Sequence, residues 1–160
     1  MPEFIITPLR ACHTPTLHTL LRAQLEEERA LFYKPSLLTH EHTSDDTIRR
    51  VIAFWQEHSA IAVFVAENDI AAYGFIAAQI KNDIYNNQDV LSGEILAVYV
   101  SEQQRKRGVG RGLIAHAETW FRQNAVHAVN VSWLEGNDAS QALYANFGFE
   151  PVHRTARKPL

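Results

Sequence analysis

Cysteine is nearly absent. Cys12 is the only one in 160 residues, which excludes a disulfide within the chain and suits a reducing compartment. Long hydrophobic runs are missing as well. No stretch approaches the roughly 18 apolar residues of a membrane-spanning helix, so no membrane partner is expected. The opening residues, Met1 to Pro8, lack the basic start and long apolar stretch of a signal peptide, and a cytoplasmic location is the expectation. Positive charge is not in excess: the formal net charge is -3. That balance argues against a general nucleic-acid binder, which usually shows a basic balance or a basic face. Repeats, low-complexity tracts and linkers are also absent, so residues 1–160 read as a single domain.

What is present is the composition of an ordinary soluble globular protein, 46% hydrophobic and 21% charged. The chain is long enough for one well-buried domain and short for two. Phe4-Ile5-Ile6 reads as a first strand. From Pro15 onward Leu17, Leu20, Leu21, Leu25, Leu31 and Phe32 recur near helical spacing, until Lys34-Pro35-Ser36 breaks the helix. Thr43, Ser44, Asp45 and Asp46 offer N-caps for a second helix whose apolar face holds Ile48, Ile52 and Trp55. Residues 61–66 and 70–80 are β-like runs joined by Glu67-Asn68-Asp69, a hairpin signal. The polar residues 81–92 are expected to form a loop before a strand that begins near Glu94.

Further on, Leu113, Ile114, Ala117, Trp120 and Phe121 make an amphipathic helical stripe, and residues 126–133 alternate as a strand. A helix is expected from about Asp138 to Phe147, with Asp138 and Gln141 as a capping box. Gly148 falls where a helix-ending glycine belongs, with Phe149 as its apolar clamp, and a last strand is expected over residues 149–153. The fold class is α/β with a mostly antiparallel sheet at its front.

The most informative stretch runs from Glu94 to Gly112. An apolar strand, Glu94 to Val100, enters a loop that reads Arg105-Lys106-Arg107-Gly108-Val109-Gly110-Arg111-Gly112 and opens into the helix. Unpaired amides and the helix dipole make such a helix start attractive to anions, and glycines let the main chain approach them. Arg105, Lys106, Arg107 and Arg111 concentrate four cations within seven residues of an acidic chain, which marks a local anion site. A Walker A loop would need Lys-Ser or Lys-Thr after the glycines, and a dinucleotide fingerprint would need glycine where Leu113 stands.

The pattern Arg105-x-x-Gly108-x-Gly110, with Asn137-x-x-Ser140-x-x-Leu143-Tyr144-x-x-x-Gly148-Phe149 downstream, resembles the GNAT superfamily of N-acetyltransferases. The likeness covers roughly residues 60–153; before that only the strand–helix–helix order matches. It implies a mixed, mostly antiparallel, splayed sheet of about six to seven strands flanked by about four helices. It implies an acetyl-CoA-dependent acyltransferase acting on a primary amine, without a metal, and family habit allows a homodimer. Main-chain amides from Arg105 to Arg111, through Lys106, Arg107, Gly108, Val109 and Gly110, would hold the pyrophosphate. The backbone of Val98, Tyr99 and Val100 would pair with the pantetheine arm like an added strand, and the Val98 N–H would face the thioester oxygen. Asn137, and less firmly Ser140, would touch the arm from the other side. Tyr144 matches the residue that protonates the departing thiolate, with a core aromatic as the plain alternative.

Glu94 lies fourteen positions before Gly108, where several family members carry a general base and others do without one. The chemistry calls for one because a primary amine is protonated at neutral pH. The plain alternative is a solvated strand residue or a partner for nearby cations. Strand parity puts Glu94 on one side with Leu96 and Val98.

The eight histidines are scattered, and His40-Glu41-His42 lacks the spacing that sets two imidazoles on one helix face, so no metal is expected. Glu26-Glu27-Glu28 reads as a wet helix face, or as an acidic edge that attracts a cationic amine. Phe32, Tyr33, His40, His42 and Trp55 could line the same acceptor pocket. Direct transfer is expected, since Cys12 lies far from the motifs and no activated nucleophile is marked. The rival reading is a non-catalytic CoA-binding sensor or interaction module; a nucleotide-binding loop ranks below both.

Overall fold

The computed structural model describes residues 4–31, 44–83, 87–156 and 158. In chain order they form β1 (Ile5–Pro8), a 3-10 turn (Ala11–His13), α1 (Thr14–Leu31), α2 (Asp45–Glu57), β2 (Ile61–Glu67), β3 (Ala72–Asp83), β4 (Asn87–Val100), a 3-10 turn (Glu102–Gln104), α3 (Val109–Gln123), β5 (Ala128–Val131) and α4 (Asp138–Asn146). The strands make one sheet in the order β1-β2-β3-β4-β5. Neighbours are antiparallel except β4 and β5, which run parallel.

Alternation along the central strands divides the apolar residues between two layers. On one face α3 brings Leu113, Ile114, Ala117 and Phe121 onto Phe64, Ile76, Ala78 and Ile95. On the other, α1 and α2 bring Leu17, Leu21, Ile48, Ile52 and Trp55 onto Val63, Phe75 and Ala77. Each of the larger aliphatic and phenylalanine side chains among them, fully buried, contributes about 1.5–3 kcal/mol by area, so the sheet is clamped from both sides. Ser44 caps α2, its hydroxyl accepting from the Thr47 amide.

Several expectations are corrected. Residues 81–92 are not a loop throughout: β3 runs on to Asp83 and β4 begins at Asn87, so most of this polar stretch extends a hairpin. Its polarity misleads because Asp83 and Ser92 are buried. The sheet has five strands among the described residues, fewer than six to seven, and residues 149–156 form no strand. Pro151 lacks an amide to donate, and residues 150–156 are exposed. The first hairpin turns one step later than expected: Asn68 accepts from the amides of Ile70 and Ala71, which leaves Ile70 at 92% exposure. Leu31, placed on the apolar stripe of α1, is 64% exposed. The break at Lys34-Pro35-Ser36 lies outside the described residues.

Two irregularities of β4 open the sheet on one side. Ala77 pairs with Ala97 but Ala78 pairs with Ile95, so Leu96 is an extra residue, a bulge. In addition, β5 accompanies β4 only from Ser92 to Ile95, while β3 stays paired with β4 through Val100. Past Ile95 the sheet therefore splays along one edge of β4.

Candidate active site

The splay opens a cleft of about 410 Å³. One wall is α1 and α2, the floor is Ile95 to Val98 of β4, and the far wall is Ser132 to Leu134 with Asn137, Ser140 and Tyr144. The bulge decides which side chains meet it. Leu96 and Ala97 both turn toward the α1/α2 layer, and Val98 toward the α3 layer. The expected grouping of Glu94 with Leu96 and Val98 is thus half corrected, since one inserted residue reverses parity beyond it.

Val98, Tyr99 and Val100 pair with Ile76, Phe75 and Gly74 on β3 and have no β5 partner on the other side. That is the open edge a strand-like ligand needs. Part of it is taken at the far end, where Arg105 Nε donates to the Val100 carbonyl (3.0 Å). The rest of the Arg105 guanidinium forks onto both oxygens of Glu27 on α1 (2.7 and 2.5 Å) and lies over the Tyr99 ring at 5.3 Å. Its hydrogen bonds hold the Glu27 carboxyl below the ordinary carboxylate range against the opposing effect of burial. Burial, and then the Glu27 charge, pushes the Tyr99 phenol up. The Arg105 side chain is therefore a brace between α1 and the loop.

From there the chain reaches Gly108, the N-cap of α3, at a φ of 84° with no side chain capping the helix. A Cβ added at Gly108 would meet nothing within 4 Å, and one at Gly110 nothing nearer than 3.9 Å. The space over the first amides of α3 is open, as anion binding requires. Gly112 has a different reason to be glycine: a Cβ there would stand 3.1 Å from the Phe4 ring, where α3 packs on the first strand. Lys106, Arg107 and Arg111 are exposed around this helix start, and Val109 is buried beneath it.

Tyr144 is 4% exposed, with its ring 5.7 Å from Trp133 and 5.6 Å from Phe149. Burial, and then the carboxylate of Glu28, pushes its phenol well above the ordinary tyrosine value. It therefore stays protonated at neutral pH and can donate. The helix end behind it is held by two hydrogen bonds, Phe149 N–H to Tyr144 O (3.1 Å) and Gly148 N–H to Ala145 O (3.0 Å), with Gly148 at a φ of 83°. This pairing is the Schellman motif anticipated from Gly148 and Phe149. At the other end of α4 the cap is Asn137 rather than Asp138: its Oδ1 accepts from the Ser140 amide at 3.0 Å. The Asn137 NH2 is the half of that amide left to meet a ligand.

Glu94 is placed apart from this group. It sits between Gln79 and Asn130 in the sheet, its Oε2 is ion-paired with Lys81 Nζ, and it does not line the cleft. Nothing in the sequence singled out Lys81, because a cross-strand diagonal depends on register. The acidic run of α1 has three fates. Glu26 is exposed near Arg22, Glu27 binds Arg105, and Glu28 lines the cleft, accepting from Gln24 Nε2 at 2.9 Å. Gln24 also lines the cleft; its four-residue spacing to Glu28 was the one available signal. Trp55 joins the wall too, packed on Phe75, while Phe32, Tyr33, His40 and His42 lie outside the described residues. His13 is engaged by Glu67 (3.0 Å), and the described residues hold no group of three or more His, Cys, Asp or Glu placed to bind a metal.

Comparison with known proteins agrees with this geometry. The profile of the Acetyltransferase (GNAT) family matches residues 21–149. An aminoglycoside N(6')-acetyltransferase type 1 of Salmonella typhimurium is 30% identical over 95 residues, which cover 59% of this chain and 66% of that protein, just under two thirds of its length. An uncharacterized N-acetyltransferase of Bacillus subtilis, YuaI, is 29% identical over 61% of this chain and 55% of its own. Among solved structures, AAC(6')-Iy in complex with the bisubstrate analog CoA-S-monomethyl-acetylneamine superposes with a TM-score of 0.76 at 23% identity, covering 98% of this chain and 97% of that one. A GCN5-related N-acetyltransferase from Ralstonia eutropha gives 0.75 at 19% identity, covering 98% of both chains.

Proposed function

Because this chain belongs to the GNAT acetyltransferase family, whose profile spans residues 21–149, we propose that it moves an acetyl group from acetyl-CoA directly to a primary amine. The observation that carries this reading is the splay of β4 from β5 beyond Ile95. It leaves a strand edge and a buried, protonated tyrosine on one cleft, and β4 leads on from that edge to the start of α3.

The residues present fit acetyl-CoA, which supplies the acetyl group activated as a thioester. The first amides of α3, over the open space at Gly108 and Gly110, would hold the pyrophosphate. The free edge at Val98 and Tyr99 would pair with the pantetheine arm, and the Asn137 NH2 would meet it from α4. The Val98 N–H would steady the charge that develops on the thioester oxygen. Tyr144, kept protonated by burial, would give its proton to the departing sulfur. Glu94 would act as a base only through intervening water, since it stands outside the cleft wall and Lys81 engages it. Cys12 is exposed in the turn before α1 and is absent from the cleft wall, which supports direct transfer without an acyl-enzyme.

The test is release of free thiol when the purified protein is given acetyl-CoA and a panel of primary amines. Turnover with at least one amine is the expected result. Tight acetyl-CoA binding by calorimetry with no turnover across the panel would favour a non-catalytic CoA-binding module instead.

A further inference from the structure

The half of α1 that walls the cleft has little packing to hold it. Leu17, Leu20 and Leu21 are buried in the first half, but from Arg22 to Leu31 no residue is. Gln24, Leu25 and Glu28 of this second half nevertheless line the cleft. A helix in a protein is held mainly by the apolar face it buries, and segments with few buried contacts open first. A wall built on such a segment needs another tie. Arg22 is ion-paired with Asp45, which joins α1 to α2, and Gln24 meets Glu28 within the helix. The polar tie from this half of α1 to the sheet runs through Glu27 and Arg105.

Arg105 makes that tie at three points. Two of its nitrogens fork onto the two oxygens of Glu27 (2.7 and 2.5 Å), and its Nε donates to the carbonyl of Val100, the last residue of β4 (3.0 Å). The guanidinium lies over the Tyr99 ring, 5.3 Å from its centre. A bidentate pair fixes angle as well as distance, so Glu27, and α1 with it, is held in one orientation. Neither Glu27 nor Arg105 lines the cleft. Their effect on it is carried by the helix.

By its place in the sequence Arg105 is one of four cations around an anion site. Three of its five N–H donors, however, are committed to α1 and β4. Lys106 and Arg111 stand exposed about the start of α3, whose first amides are suited to hold a pyrophosphate. With the cofactor arm along the β4 edge and α4 beyond it, the α1/α2 wall is the side left for the amine. Resting on the acetyltransferase reading above, we propose that the Arg105 side chain is a positioning group for the acceptor wall and not a phosphate ligand. Through Glu27 it holds Gln24, Leu25 and Glu28 at the distance from β4 that the amine requires.

The experiment compares the wild type, Glu27→Gln, Arg105→Lys, their double variant and the exposed control Glu26→Gln. Arg105→Lys keeps the positive charge but cannot fork onto a carboxylate. Three quantities are read: amide hydrogen exchange over residues 25–31, the acetyl-CoA dissociation constant by calorimetry, and the amine KM in steady-state thiol release. The amines are benzylamine, putrescine, glycinamide and kanamycin, and KM is followed for the one turned over fastest. Each single variant should speed exchange over residues 25–31 about fivefold, with α3 unchanged, and raise the amine KM about fivefold. That factor is about 1 kcal/mol, at roughly 1.4 per tenfold, the upper end for a half-exposed ion pair. The acetyl-CoA constant should stay within about twofold. The double variant should lose no more than either single one, since both remove the same tie. Glu26→Gln should keep all three values. Unchanged exchange and amine KM in Glu27→Gln and Arg105→Lys would overturn the assignment and leave acetyl transfer standing. So would a larger loss in acetyl-CoA binding than in amine KM for Arg105→Lys, which would make Arg105 a phosphate ligand. No thiol release with any of the four amines, in protein that binds acetyl-CoA, would remove the acetyltransferase reading and the acceptor role with it. The exchange rates, which need no amine, separate that failure from a failure of the tie itself.

Discussion

At the scale of single residues, the chemistry of the cleft rests on Tyr144, whose surroundings select its protonated form. Trp133, Phe149 and the helix end bury it, and Glu28 adds a charge that a phenolate would have to oppose. Tyr144→Phe keeps the ring and removes the proton. It should lower kcat by about 100-fold, within the usual range for a general acid, while calorimetry finds the acetyl-CoA dissociation constant within about twofold. An equal loss in binding and in kcat would make Tyr144 a packing residue only. Motif spacing alone pointed to this residue, because its offset from Asn137 and Gly148 reflects one face of one short helix. The run Glu26-Glu27-Glu28 could not be divided in the same way. Three neighbouring carboxylates are alike in sequence, and their separate fates come from helix rotation and from what Arg105 and Gln24 bring to them.

Among the elements, β4 decides the site, and it is also where legibility ended. Its identity as a strand followed from the apolar run of residues 95–100, and the start of α3 followed from the glycines. The bulge at Leu96 was invisible, because an inserted strand residue needs no special composition; it appears only when β3 supplies a register. The early end of β5 at Val131 was hidden for a similar reason, as nothing marks Ser132 or Trp133 as leaving a sheet. Gly93 tests how tightly this region is packed. A Cβ there would lie 2.6 Å from the Phe121 ring, closer than atoms can approach, so strand and helix would have to part. Gly93→Ala should cost about 1–3 kcal/mol as overpacking, measured by urea denaturation. Combining it with Phe121→Leu should cost less than the sum of the two single changes, since the clash is shared. Full additivity would mean that Gly93 matters for its backbone and not for the contact. By contrast Gly108→Ala meets no atom, and its cost of about 1 kcal/mol would come from the positive φ alone.

For the molecule as a whole, the two layers are fastened to the sheet unequally. The α3 layer is held by apolar packing, whereas two of the ties on the α1 side are carboxylates at its margins. Glu27 on α1 binds Arg105 beyond β4, and Glu67 on β2 accepts from Thr7, Arg10 and His13 at the strand and turn that lead into α1. Both carboxyls are held below their ordinary value of 4.5, Glu27 chiefly by Arg105 and Glu67 chiefly by the Thr7 hydroxyl. A carboxylate with a depressed folded pKa binds fewer protons folded than unfolded as acid is added. Its stabilisation is complete above the ordinary value and is lost as pH falls through the folded one. The melting temperature should therefore fall once pH drops below about 4.5. An earlier decline should set in as pH passes below 6.5, where His18, held below its ordinary value by burial and then by Arg22 and Arg49, takes up a proton more readily in the unfolded chain. The double variant Glu27→Gln, Glu67→Gln should melt lower at pH 7 and show a shallower acid decline. Because these ties hold α1, which carries one wall of the cleft, fluorescence of Trp55 on the α1/α2 side should respond to acid before circular dichroism reports loss of the sheet. A double variant with the same acid slope as the wild type would mean that other carboxylates govern the transition. Coincident changes in the two signals would mean that the α1 layer and the sheet unfold as one unit.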